Sequence, residues 1–301
     1  MKYFVSVGFL GLCLLSSPAF GQAAGGKGKA VAKKSSTAVP EAAPVASSIT
    51  VPSWLPPETP AHPAATLLHD VLNTKLDIRF DWARQYALGT AVLTLRPHFY
   101  SQSALVLDAK GFDIKTVQLV GEKGDKTLTY KYDKAQLIIT LDKAYTRDQT
   151  YQVRIAYVAK PNELPQGGSS AITSDKGLYF INPLGKEPNK PRQIWTQGET
   201  QSSSCWFPTI DHPNQRMTQE IALTVDNQYK TLSNGLLIAS RKNADGTRTD
   251  TWRQTLPAAP YLTMLAVGDF AVVSDTWHGK AVDYYVEPQY KNTAKAVFGH
   301  T

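Results

Sequence analysis

TKLDIRFDW (74–82) alternates without a break: Leu76, Ile78, Phe80 and Trp82 are apolar, while Lys75, Asp77, Arg79 and Asp81 are charged. A period of two sends the two sets to opposite faces, which is the pattern of a half-buried β-strand. The same rhythm recurs in GTAVLTLR (89–96), TLTYKY (127–132), QLIITL (136–141) and TYQVRIAY (150–157). It continues in QEIALTV (219–225), around Trp252 and in YLTMLAVGDF (261–270). EKGD, LSNG and NADG supply turn signals between these runs. A dozen or so short strands at this spacing predict a mainly β, antiparallel, sandwich-like domain over 64–280. No long helical pattern interrupts it.

Outside that stretch the composition changes. Lys2 precedes an apolar run (4–15) that is too short to span a bilayer, and Ala19-Phe20-Gly21 offers the small residues a signal peptidase needs. Residues 1–21 therefore read as a cleaved signal peptide, and the protein as exported, periplasmic or secreted, with no stable membrane anchor. Residues 22–63 are rich in Ala, Lys, Ser, Pro and Gly and read as a disordered linker that cannot bury enough apolar surface to order itself. Of the net charge of +7, the first 55 residues carry +4. The +3 left on the folded part, without a basic run, argues against a nucleic-acid partner. Cleavage would leave Cys205 alone, so the mature domain stands on its core and not on a disulfide.

The search for chemistry returns mostly absences. None of the six histidines has a second four residues away, so the His-Glu-x-x-His zinc helix is missing, as are a phosphate-binding glycine loop and a Gly-x-Ser-x-Gly elbow. One stretch stands apart: QIWTQGETQSSSCWFPTIDHP (193–213) reads as irregular, with two tryptophans, one cysteine, a serine run and an Asp-His-Pro turn. Cys205 with His212, or a serine of 202–204 with Asp211 and His212, are the residue types of nucleophilic catalysis. Sequence proximity is weak support for such a triad, because triads assemble in space. A packed thiol beside a turn is the plainer reading.

The stretch WTQGETQSSSCWFPTIDHP resembles the TQxE and FPxxDxP segment in the N-terminal domain of the aminopeptidase N family, the gluzincin zinc metallo-aminopeptidases. LSNG (232–235), the VGDF ending of 261–270, HDVLNTKLDIRFDW (69–82) and GLYF (177–180) resemble further motifs of that domain, in the same order. Gly198 stands where a bulkier residue is common, and His212 where Glu is frequent. The resemblance covers about 67–301.

It implies a saddle-like β domain lying over a thermolysin-like catalytic domain, with 281–301 as the start of that catalytic part. Zinc would belong to the catalytic domain, with no cofactor held by this chain, and the partners would be that domain and peptides with a free N-terminus. It further implies that Glu199 grips the substrate's α-ammonium, while Gln197 lies beside the pocket for the first side chain. Trp195, Trp206, Phe207 and Pro208 read as core and turn residues supporting the loop. The alternative is an exported, non-enzymatic β-sandwich that binds peptides.

Overall fold

The computed structural model describes residues 66–165 and 174–300. The expected signal peptide (1–21) and linker (22–63) lie outside the described residues. Eight strands come first: β1 (His69–Asp81), β2 (Tyr86–Pro97), β3 (Gln102–Asp108), β4 (Asp113–Leu119), β5 (Lys126–Thr127), β6 (Tyr130–Tyr132), β7 (Gln136–Tyr145) and β8 (Tyr151–Ala159). They are followed by β9 (Leu178–Ile181), β10 (Gln193–Thr196), β11 (Met217–Asp226), β12 (Lys230–Ser233), β13 (Leu236–Lys242) and β14 (Thr247–Ala258). β15 (Leu265–Gly268), β16 (Ala271–Trp277), β17 (Lys280–Val286) and the short helix α1 (Ala294–Phe298) complete the order.

The strands form four sheets. The largest has the order β13-β14-β11-β1-β2-β8-β4-β5; a second runs β12-β15-β10-β9; a third runs β3-β7-β6; and β16 pairs with β17 alone. β1 behaves as its alternation predicts, with Leu76 and Ile78 buried and Lys75, Asp77 and Arg79 exposed. Leu76 sits opposite Ala91 of β2 on one side and Ile221 of β11 on the other. The mainly β, largely antiparallel architecture is as expected, with one departure: β1 and β11 run parallel. Side-chain period is the same in parallel and antiparallel strands, so alternation carries no information about direction.

One hydrophobic cluster draws on the inner faces of three sheets. Leu93 and Ile155 come from the large sheet, Leu105, Leu107, Leu137 and Ile139 from the three-stranded one, and Ile194 and Val267 from the four-stranded one. Burying each such side chain stabilises the fold by about 1.5–3 kcal/mol before entropy is counted. Among the described residues β16, β17 and α1 add nothing to that cluster. The hairpin straddles the expected domain boundary at residue 280 and is braced by Phe270 against Tyr285 and by Lys295 to Asp275 at 3.0 Å.

TLTYKY, which reads as one strand, is divided between two sheets. β5 pairs with β4 in the large sheet, whereas β6 pairs with β7. YLTMLAVGDF is likewise shorter than it reads, because Pro260–Leu262 is a 3₁₀ turn and pairing starts only at Leu265. Proline fixes its φ and has no N–H to give a ladder, which suits that turn.

Candidate functional site

Although 193–213 reads as irregular, its first four residues are β10, paired with β9 on one side and β15 on the other. Ile194 is fully buried and points into the core. The Gln197 N–H donates to the Gly177 carbonyl at 3.0 Å and extends the ladder by one residue. There pairing stops and the chain turns, with the Ser202 N–H donating to the Gly198 carbonyl at 2.9 Å before the 3₁₀ turn Ser203–Cys205.

The turn is tied down from several directions. Lys110 donates its backbone N–H to the Ser204 carbonyl (2.8 Å) and its Nζ to the Gln201 carbonyl (2.7 Å). The Asp211 carboxylate accepts the Ser204 N–H at 2.9 Å, and the Asp211 N–H donates to the Asp108 carboxylate at 2.9 Å. Asp108 and Thr209 exchange two backbone hydrogen bonds. Trp206 and Phe207 are fully buried in edge-to-face contact beneath the loop, and Pro208 is buried beside them.

The separated motifs meet here. An added Cβ on Gly177, which has φ +71°, would lie 3.0 Å from the Ser202 carbonyl carbon and from Cys205 Cβ. On Gly198 it would strike the Tyr261 carbonyl group and come within 2.9 Å of Ser203 Oγ. The Ser203 hydroxyl donates to the Pro260 carbonyl at 2.8 Å. Asn234 of LSNG donates to the Leu262 carbonyl (3.0 Å) and accepts from the Met264 N–H (2.7 Å). GLYF, the loop, LSNG and 261–270 therefore form one packed unit around the end of β10.

Glu199 is exposed and Gln197 half-buried at that end. Neither side chain has a hydrogen-bond or ion-pair partner among the described residues. Trp206, Phe207 and Pro208 are core, as expected. Trp195 is not: it is 38% exposed and its ring stacks on Tyr179 at 4.7 Å and 19°. The outward-facing half of a strand covered on one face only has no core to join, and no local signal distinguishes the two faces of QIWT.

The nucleophilic alternative is not assembled. The Cys205 thiol donates to the Asp175 carbonyl at 3.3 Å, and burial pushes its pKa up to about 12. The Ser203 and Ser204 hydroxyls donate to backbone carbonyls, of Pro260 and Gln201. His212 Nδ1 lies 3.2 Å from the Gln201 amide, and burial raises the pKa of Asp211, whose carboxylate faces the Ser204 N–H. These groups hold the loop: the Asp211 carboxylate takes the Ser204 backbone and side chain, and His212 pairs with Gln201 and not with Cys205 or a serine. Among the described residues no three His, Cys, Asp or Glu side chains come together to hold a metal, and the zinc that the resemblance implies would belong to the catalytic domain.

The Peptidase M1 N-terminal domain pattern matches residues 71–262. Leucine aminopeptidase 2 of Yarrowia lipolytica is 26% identical over 216 residues, 72% of this chain and 30% of that protein. Puromycin-sensitive aminopeptidase of Caenorhabditis elegans is 29% identical over 189 residues, 61% of this chain and 19% of that protein. Transcription initiation factor TFIID subunit 2 of Danio rerio is 30% identical over 118 residues, 38% of this chain and 10% of that protein. The domain thus recurs in proteins named for peptide hydrolysis and in one that is not. The crystal structure of the M1 zinc metallopeptidase from Deinococcus radiodurans superposes with a TM-score of 0.59 at 19% identity, over 72% of this chain and 46% of that one. The chain spans a third or less of these curated relatives and under half of that structure.

Proposed function

The chain belongs to the M1 peptidase N-terminal domain family, and from that premise we propose that it anchors substrate for an exported zinc metallo-aminopeptidase. That enzyme would remove N-terminal residues from peptides. In this reading residues 1–21 direct export and are cleaved, 22–63 tether the domain, and 64–280 form it. Residues 281–301 lead into a catalytic domain that carries the zinc. The domain by itself is inert.

The observation that carries the reading is the state of Glu199. It is an exposed carboxylate with no partner among the described residues, on a loop whose flanks are pinned by Lys110, Asp211 and the Trp206–Phe207 core. An exopeptidase must hold the first peptide bond in register, and a carboxylate on the α-ammonium does so through a charge-assisted hydrogen bond. In the same reading Gln197, at the last ladder position two residues earlier, meets the first side chain.

Glu199→Gln tests this in the enzyme that includes the catalytic domain. The substitution keeps shape and removes charge, so kcat/KM for aminoacyl-nitroanilides should fall about 10–150-fold, the equivalent of about 1.5–3 kcal/mol. The thermal melt should not move, because the carboxylate has no hydrogen-bond or ion-pair partner among the described residues. Unchanged kcat/KM would return Glu199 to the role of a surface residue. The domain alone should release no nitroaniline.

A further inference from the structure

Resting on that placement of Gln197 and Glu199, we propose that Trp195, stacked on Tyr179, sets specificity for the substrate's first residue and selects a large aromatic side chain. Strand alternation puts Trp195 and Gln197 on the same face of the chain, opposite the buried Ile194. Residues two apart in a strand lie about 7 Å apart, so a side chain held at Gln197 is within reach of the indole.

The platform is preorganised. Trp195 pairs directly across the ladder with Tyr179 on one side and Ala266 on the other. The two rings stack, and the Tyr179 hydroxyl donates to the Ser174 carbonyl, which holds the lower ring in place. Trp195 keeps 38% of its surface exposed and contributes nothing to the hydrophobic cluster. Its indole N–H has no partner among the described residues. A rigid aromatic face with one side committed and the other open matches a planar side chain, since offset or edge-to-face ring pairs add attraction beyond the area they bury. Small side chains would gain none of it.

The test uses the enzyme with its catalytic domain and two substrates, phenylalanyl- and alanyl-nitroanilide. Trp195→Leu removes the ring and leaves an apolar side chain. The ratio of kcat/KM for the phenylalanyl over the alanyl substrate should drop about tenfold, and Trp195→Phe should restore most of it. Equal losses on both substrates with a lowered melting temperature would mean that Trp195 packs against the catalytic domain, and would overturn the inference. An unchanged ratio, with Glu199→Gln still impaired, overturns this inference alone. A parent enzyme that hydrolyses neither anilide overturns the anchoring reading and this inference with it.

Discussion

Gly198→Ala is the smallest change that strains the candidate site. The added methyl would meet the Tyr261 carbonyl group, with the carbonyl carbon 2.8 Å away and Ser203 Oγ at 2.9 Å. Real Cβ contacts are essentially never that close, and the neighbour is backbone, held in turn by the Thr263 N–H bond to the Pro260 carbonyl at 2.9 Å. Either the Pro260–Leu262 turn or the end of β10 must shift. Overpacking of this kind costs about 1–3 kcal/mol. For a domain of this size about 2 kcal/mol lowers Tm by roughly 4–8 °C. Gly246→Ala is the control: that glycine has φ +81° and nothing within 4 Å of the added Cβ, so it reports backbone strain without collision. Thermal and urea unfolding of both variants beside the parent would measure the difference. A Gly198→Ala protein as stable as the parent, with the Gly246→Ala protein weakened, would refute the claim that a bulkier residue has no room here.

Two other expectations concern buried titratable groups. Burial lowers the His69 pKa from 6.5 to about 4, and its Nε2 has no hydrogen-bond partner among the described residues. The unfolded chain therefore binds this proton first. Stability is full above pH 6.5, falls as pH drops from 6.5 towards 4, and loses about 3 kcal/mol over that window. Urea midpoints across pH 4–7 should show the slope, and His69→Phe should flatten it; a parent profile that is level there would refute the assignment. Cys205, with its thiol pushed to about 12, should resist iodoacetamide at pH 8 in the native protein and react once unfolded. Peptide mapping reads this directly, and fast native labelling at Cys205 would show that the loop opens.

Much of the fold was legible because alternation reports which side chains face inward, and Leu76, Ile78, Leu93 and Ile155 do so where the pattern puts them. What alternation cannot report is which neighbour a strand takes, so the parallel β1–β11 pair and the division of TLTYKY between two sheets were invisible. Leu128, between β5 and β6, is buried, but Tyr130 two residues on is exposed, so the burial rhythm breaks where the chain switches sheets. At the site, the resemblance marked Gln197 and Glu199, but Trp195 read as core because an indole usually is. Its exposure depends on the absence of anything packed on the outer face of β9 and β10 among the described residues. The anchoring role of Lys110, 91 positions away from the Gln201 carbonyl it holds, left no trace in local sequence.

The position of β1 also fixes the order in which this domain can close. Its second neighbour is β11, and the Asn73–Thr218 contact joins residues 145 positions apart. Until β11 arrives, the middle of the large sheet is an open edge with a row of unmatched N–H and C=O groups, a template for pairing with another chain. A chain emerging N-terminus first therefore carries β1 paired to β2 alone through most of the domain's appearance. Non-local closure of this kind folds slowly, because the loop entropy must be overcome before the contacts form. The β1–β11 seam inside the sheet, and not only its rim, stays open while most of the domain is made, and it is a part that a chaperone would have to guard.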